Sequence, residues 1–209
     1  MAQFSVRTLG FPEIRRDGRP CRLALRKGLA LLIYLAETKG PVGRDVAVAM
    51  LWPEDSDVVV RARLRRLLHR LQLSLGDDVL TIDRSTVRWS SAIDLHVDSQ
   101  AFEQACDRGE FEAACRLYLG GFLEGFSPGD CPQFDEWSFF RREALRGRAI
   151  QALERVVHDK NAACDYGPRP HTPAVSLSSI RSAKSMAATS SAIYCSPEIV
   201  PSPSATLRP

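Results

Sequence analysis

The feature that most constrains this chain is the stretch 57–75, DVVVRARLRRLLHRLQLSL, in which apolar residues recur with the period of an α-helix. At about 100° per residue, one narrow sector of such a helix carries Val60, Leu64, Leu67, Leu68, Leu71 and Leu75. A stripe of this kind is typical of a helix that packs one face against a hydrophobic core. The sequence therefore predicts an amphipathic helix over the whole stretch.

The opposite face of this helix is strongly basic. Arginines stand at positions 61, 63, 65, 66 and 70, with no acidic residue between them, so their charge is not neutralised locally. Val59 and Ala62 are small enough to let the backbone approach a partner closely. Guanidinium groups bind phosphates and guanine edges, and small apolar groups contact thymine methyls. We interpret this face as one that reads the DNA major groove, the alternative being a solvated basic face on an ordinary core helix.

Charge is distributed unevenly along the chain. Residues 1–93 contain 16 Lys and Arg against 10 Asp and Glu, a net charge of +6, whereas residues 94–160 contain 8 against 13, a net charge of −5. A basic module followed by an acidic one indicates a polyanionic partner for the first module only. With 209 residues, 44% of them hydrophobic, the chain is long enough to form one or two domains.

Other classes of function have little support in the sequence. The 6 cysteines form no Cys-x-x-Cys pair, and no nucleophile stands with a base, so we expect no metal, no cofactor and no enzymatic activity. No apolar run approaches the roughly 18 residues that a membrane span requires. Because the first residues lack the pattern of a signal peptide, we expect a cytoplasmic protein without a membrane partner.

The elements around the basic helix predict a winged helix-turn-helix. Three extended runs predict a small antiparallel sheet at residues 4–9, 13–16 and 19–25. The last two runs meet at Asp17-Gly18, a strong signal for a two-residue hairpin turn. Two helices, at residues 27–38 and 43–52, precede the basic helix. A second hairpin, at residues 79–89, follows it. A sheet, three helices and a hairpin in this order are typical of a winged helix whose sheet packs behind it.

The rest of the chain divides into a helical module and a tail. Residues 94–160 have helical periodicity and predict an all-α module, with helices at 97–106 and 110–119 and one or two long helices within 132–160. Residues 161–209 contain seven of the 13 prolines and ten serines, and they cannot offset their ordering entropy by burying apolar surface. The predicted fold is therefore mixed but mainly α: a winged-helix module (1–93), a helical module (94–160) and a disordered tail (161–209).

Ten residues are predicted to meet DNA. Those on the basic helix are Val59, Ala62, Arg63, Arg65, Arg66, His69 and Arg70. Its arginines are expected to contact bases or phosphates, whereas for His69 solvation is an equal alternative. Arg84 and Arg88 of the second hairpin are expected to reach an adjacent minor groove or its phosphates. Arg44, at the start of the preceding helix, is expected to contact a phosphate.

Several motifs resemble the antibiotic-regulatory-type transcriptional activators of bacteria. They are Asp17-Gly18-Arg19-Pro20, Arg26-Lys27, Leu51-Trp52-Pro53, Arg61-Ala62-Arg63-Leu64, Gly120-Gly121-Phe122-Leu123-Glu124-Gly125-Phe126 and Phe134-Asp135-Glu136-Trp137. The resemblance extends over residues 4–160. It implies an OmpR-like winged-helix DNA-binding domain joined to a tetratricopeptide-like bacterial transcriptional activator domain, and a role in regulating transcription.

The favoured function is sequence-specific DNA binding that activates a nearby gene or gene cluster. The expected partners are double-stranded DNA and, for the helical module, RNA polymerase or a second copy on repeated half-sites. Two alternatives stay open: a helical interaction scaffold, and a truncated, non-functional remnant, because members of the family continue their helical domain beyond the point where Asn161 lies here. A scaffold has no reason to concentrate positive charge in its first half, which favours the DNA binder.

Overall fold

The chain folds into two small sheets and, within the described residues, six α-helices. The computed structural model describes residues 2–23, 25–53 and 57–165, which lie within one unit, Met1–Tyr166. The strands are β1 (Gln3–Arg7), β2 (Glu13–Arg16), β3 (Arg19–Pro20), β4 (Val42–Gly43), β5 (Leu80–Ile82), β6 (Thr86–Trp89) and β7 (Asp94–Val97). The helices are α1 (Arg26–Thr38), α2 (Arg44–Leu51), α3 (Asp57–Leu75), α4 (Asp98–Asp107), α5 (Phe111–Leu117) and α6 (Pro132–Asp165).

The first sheet has the strand order β3-β2-β1-β7. Its first three strands in the chain, β1 to β3, are the ones that the sequence predicts. β1 and β2 are antiparallel, and the turn between β2 and β3 has φ of 49° at Asp17 and 78° at Gly18, as the hairpin prediction requires. The prediction that the third strand continues to Leu25 is wrong. β3 ends at Pro20, whose missing N–H is tolerated because the strand lies on the edge of the sheet. The N–H of Cys21 still donates to the carbonyl of Ile14 at 2.8 Å, and residues 22–23 then leave the sheet.

The fourth strand of this sheet, β7, is missing from the sequence-based prediction. It pairs in parallel with β1, with Phe4 opposite Leu95 and Val6 opposite Val97. Helix α4 follows at once, and the carboxylate of Asp98 accepts hydrogen bonds from the backbone N–H groups of Thr8 (2.7 Å) and Leu9 (3.0 Å). Residues on both sides of the predicted boundary at 93/94 therefore belong to one continuous sheet.

The second sheet, with the order β4-β6-β5, completes the winged helix. β5 and β6 form the predicted hairpin, and the unpredicted β4 adds a third strand with Val42 opposite Val87. The indole N–H of Trp89 donates to the carbonyl of Leu32 at 2.9 Å, and its ring lies 5.8 Å from that of Phe4. Trp89 thus joins both sheets to α1. Three helices followed by a hairpin give the architecture expected of a winged helix-turn-helix.

Helix α3 has the predicted bounds, and its buried face is the predicted one. The six stripe residues Val60, Leu64, Leu67, Leu68, Leu71 and Leu75 are each at most 5% exposed. Helix α1 approaches closely at Gly28, where an added Cβ would lie 3.1 Å from a methyl group of Leu71. At the other end, the guanidinium of Arg16 donates to the carbonyl of Leu75 at 2.6 Å. A cation at this position stabilises the C-terminus of a helix, so this hydrogen bond links β2 to the end of α3 and stabilises it.

The second half of the described chain is helical after β7. Helices α4 and α5 meet at Gly109, whose φ is 74°, and both pack against α6. Helix α6 is 34 residues long and also contacts α2 of the winged helix. The predicted tail began at Asn161, but α6 continues to Asp165, so its first five residues are helical. The remainder of the predicted disordered tail lies outside the described residues.

A network of charged side chains joins the winged helix to the helical half. Arg141 of α6 donates to Glu37 of α1 at 2.9 Å and binds both carboxylate oxygens of Glu103 of α4, at 2.7 and 2.8 Å. The hydroxyl of Ser99 also donates to Glu37. The side chain of Glu37 is only 3% exposed and that of Arg141 is 23% exposed. One arginine therefore holds three helices together in a largely dry environment.

Burial and pairing act in opposite directions on the acids of this network. Burial raises the pKa of the Glu37 carboxyl, against the hydrogen bonds from Ser99 and Arg141. Burial also raises the pKa of Glu103, but there the hydrogen bonds and charge of Arg141, together with Arg148 and Lys39, outweigh it and hold that pKa below its ordinary value. Glu103 is therefore the more firmly ionised partner of Arg141.

We predict that Leu68→Ala lowers the free energy of unfolding by about 2–5 kcal/mol, because it opens a cavity beside a side chain that is 2% exposed. Leu73→Ala is the matched control, since Leu73 lies on the same helix and is 71% exposed. It should change the free energy of unfolding by less than about 0.5 kcal/mol. Urea unfolding of the three proteins measures both effects, and a larger loss for Leu73→Ala would mean that the faces of α3 are wrongly assigned.

We also predict that Arg141→Met lowers the free energy of unfolding by about 2–4 kcal/mol, because it leaves the buried Glu37 carboxylate without its cation. Arg146→Met on the same helix should cost less than about 1 kcal/mol, since Arg146 pairs with Glu143 on an exposed surface. Thermal and urea unfolding give the comparison. Equal losses in the two variants would contradict the structural importance of the network.

Candidate nucleic-acid interface

The outward face of α3 carries the basic surface predicted from the sequence. The predicted residues on this helix are all exposed: Val59, Ala62, Arg63, Arg65, Arg66, His69 and Arg70. Leu73 points the same way and is 71% exposed, although the sequence analysis did not identify it as part of this face. The face therefore combines cationic forks with small and medium apolar groups, the two kinds of contact that base edges in a major groove require.

The arginines of α3 fall on two flanks. Arg63, Arg66 and Arg70 follow one another at i, i+3 and i+7 and form one row, whereas Arg61, Arg65 and His69, spaced i, i+4 and i+8, form the other. The Arg66 Nε–H donates to the carbonyl of Ala62 at 3.4 Å, so this guanidinium lies back along the helix. A ligand that lies against the helix therefore meets positive charge on both sides of a small-residue centre.

The N-terminus of α2 is hydrogen-bonded to the wing. The backbone N–H of Arg44 donates to the carbonyl of Ser85 at 2.8 Å, which brings the first residue of α2 beside the turn of the hairpin. Arg84 in that turn and Arg88 on β6 are both exposed. The side chain of Arg44 is partly buried, and its Nε has no hydrogen-bond partner among the described residues. An unsatisfied buried N–H is uncommon in proteins. Because this Nε is itself buried, it is not a donor that a ligand at the surface can reach.

The structure also brings together a groove that the sequence analysis did not identify. The groove, about 460 Å³ in volume, lies between the start of α1 and the row of arginines on α3. Nine described residues line it: Leu25, Arg26, Lys27, Trp52, Arg63, Arg66, Leu67, Arg70 and Pro128. Five of them are cationic and the other four are apolar or aromatic. The groove therefore extends the basic surface from α3 onto α1.

Arg26 and Lys27 were not among the predicted site residues, although the sequence contained a signal for them. They occupy the first turn of α1, where no acidic residue is present. The N-terminus of a helix is electropositive, so cations are disfavoured there and carboxylates are the usual choice. Two consecutive cations at such a position therefore indicate a requirement other than helix stability.

Metal and thiol chemistry gain no support from the described residues. No three His, Cys, Asp or Glu side chains are grouped there to hold a metal ion. Burial raises the pKa of the described thiols, which are those of Cys21, Cys106, Cys115 and Cys131. A raised pKa keeps a thiol protonated and weakly nucleophilic at neutral pH. No helix in the described part of the chain has the length and hydropathy needed to cross a bilayer.

The fold is similar to that of EmbR from Mycobacterium tuberculosis, in the structure of EmbR in complex with a low affinity phosphopeptide. The TM-score is 0.54 and the sequence identity is 21%. The similarity covers 73% of this chain and 44% of the EmbR chain, so this chain corresponds to less than half of that neighbour. No protein-family model matches the chain, and no curated protein is similar to it in sequence. At this identity the two proteins share a fold.

Proposed function

We propose that this chain is a sequence-specific DNA-binding transcription regulator of the antibiotic-regulatory type, and that it activates a nearby gene or gene cluster. The observation that carries the proposal is the outward face of α3, where exposed arginines surround Ala62 on a helix whose other face is buried. The shared fold with EmbR and the family motifs over residues 4–160 support it. The proposal assigns the protein no catalytic role.

In the proposed complex α3 lies in the major groove. Arg65 and Arg66 are on either side of the outward direction of the helix, so one of them forks onto a guanine. Val59 and Ala62 make close apolar contacts. The wing then follows the sugar–phosphate backbone, with Arg84 and Arg88 at an adjacent minor groove. Arg44, at the start of α2 beside the turn of the wing, contacts a phosphate.

The helical half is proposed to connect DNA binding to transcription. Its exposed surface includes large apolar side chains on α6, which are Phe139, Phe140, Ile150, Leu153 and Val157. Exposed apolar groups of this size on one helix are typical of protein interaction sites. They support RNA polymerase or a second copy of the chain as a partner. The same observation favours a second candidate function, a helical interaction scaffold that does not bind DNA.

Selection of bound fragments from random-sequence DNA separates the two candidates. A DNA-reading regulator enriches one defined sequence. Its log affinity falls linearly with log salt, with a slope of about −0.9 for each phosphate contact. A scaffold enriches no sequence. Failure of the full chain to enrich any sequence would contradict the proposal.

We predict that the arginines of α3 and those of the wing region behave differently in quantitative binding. Either Arg65→Ala or Arg66→Ala should cost about 1–3 kcal/mol on the selected site and relax preference at a single base position. Arg44→Ala and Arg84→Ala should weaken binding to all sequences alike, and each should reduce the salt slope by about one unit, because phosphate contacts carry no sequence information. Titrations against the selected site and its single-base variants measure both properties.

Arg116→Ala is the matched control for these variants. Arg116 is an exposed arginine of α5 whose nearest acid is Glu112 at 4.0 Å, so its loss changes the net charge equally without touching the proposed interface. Its affinity and salt slope should stay at the values of the unmodified chain. If Arg44→Ala relaxes base preference and the α3 variants do not, then α2 rather than α3 reads the DNA.

A further inference from the structure

We infer that the groove between α1 and α3 is a second phosphate-binding site for the DNA backbone, and that the helical half of the chain helps to build it. This inference rests on the proposed function. It adds Arg26 as a contact to DNA and Phe126 as the residue that positions it, neither of which is part of the reading face of α3.

The walls of the groove suit a chain of phosphates. One wall is the row formed by Arg63, Arg66 and Arg70, and the other is the first turn of α1 with Arg26 and Lys27. These five cations surround an open space of about 460 Å³. An anion that enters this space is attracted by cations on both elements. Phosphate is the anion for which guanidinium forks are best shaped.

Lys27 and Trp52 fix the floor of the groove. The ammonium of Lys27 donates to the carbonyl of Leu51 at 2.7 Å and lies 5.4 Å from the centre of the Trp52 ring. Lys27 therefore ties the start of α1 to the end of α2, and it holds the indole against the groove. Because Lys27 already has two partners, we assign it to the structure of the site and Arg26 to contact with the ligand.

Arg26 owes its position to the loop between α5 and α6. Its guanidinium carbon lies 5.9 Å from the centre of the Phe126 ring, within cation–π range, and Phe126 is 7% exposed. Pro128 of the same loop lines the groove. The side chain of Arg26 is itself exposed, so it rests on an apolar ring while its guanidinium can face solvent or a ligand. The helical half thus provides the support for a cation of the winged helix.

The position of the groove favours a DNA backbone over a small free anion as its ligand. Arg63, Arg66 and Arg70 form one wall of the groove and also one flank of the proposed reading face of α3. A helix in the major groove has the sugar–phosphate backbones along its flanks. A duplex bound to α3 therefore brings phosphates to the mouth of this groove.

The test compares duplex binding by the full chain and by Arg26→Ala, on the selected site and on a scrambled duplex. Arg26→Ala should weaken binding to both duplexes by roughly three- to tenfold and reduce the salt slope by about one unit. Arg116→Ala, with the same loss of charge on α5, should leave both unchanged. If the full chain binds its site and Arg26→Ala binds equally well, the inference fails and the proposed function stands. If the full chain binds no duplex, the proposed function itself is contradicted, and this inference with it.

A double-mutant cycle tests the positioning role of Phe126. Phe126→Leu keeps an apolar side chain but removes the ring, and it should weaken duplex binding by about two- to fivefold. In the Arg26→Ala background the same substitution should have no further effect. An equal loss in both backgrounds would mean that Phe126 acts only through stability, which overturns this part of the inference.

Pyrophosphate, titrated calorimetrically, distinguishes the source of the phosphate. Weak binding of pyrophosphate that is lost in Arg26→Ala, together with weakened duplex binding, supports the site as proposed. Loss of pyrophosphate binding with unchanged duplex binding would identify the groove as a site for small anions and overturn its assignment to the DNA backbone.

Discussion

The contact between Arg141 and the carboxylates of Glu37 and Glu103 is the interaction on which the arrangement of the molecule depends. It joins α6 to α1 and α4 at one point, and α1 begins at Arg26, beside α3. A buried ion pair adds little net stability compared with apolar packing, but it tolerates few alternative geometries. The network therefore restricts where the helical half lies on the winged helix. The loop that carries Phe126 and Pro128 is held there by backbone hydrogen bonds as well, such as the one from the N–H of Leu123 to the carbonyl of Thr8 at 2.8 Å.

Much of the fold follows from local sequence. Strong periodicity predicts α3 at its observed bounds, and Asp17-Gly18 predicts the first hairpin through its two positive φ angles. The missed elements are β4 and β7, strands of two and four residues. Strands this short have almost no period to detect, and they exist because distant partners complete them. β7 is stabilised by β1, about ninety residues away in the chain, and local pattern contains no information about such a pairing.

The candidate interface could be predicted in part, because most of it follows from local periodicity. A single helix carries most of it, so the helical period separates the exposed arginines of α3 from its buried stripe. The groove is different, because it combines α1, the end of α2, α3 and a loop of the helical half. Arg26 and Phe126 lie a hundred residues apart, and only the packed structure brings them together. The unfavourable pair of cations at the start of α1 was the one local sign of this site.

Methylation interference on the selected site distinguishes binding of α3 in the major groove from binding in the minor groove. Dimethyl sulfate places methyl groups on guanine N7 in the major groove and on adenine N3 in the minor groove. If α3 reads the major groove, N7 methylation at one or a few guanines of the selected site prevents binding of the full chain, because these methyl groups occupy the positions that an arginine of α3 must reach. Binding that tolerates every N7 methyl group, and is blocked only by N3 methylation, would contradict major-groove reading by α3.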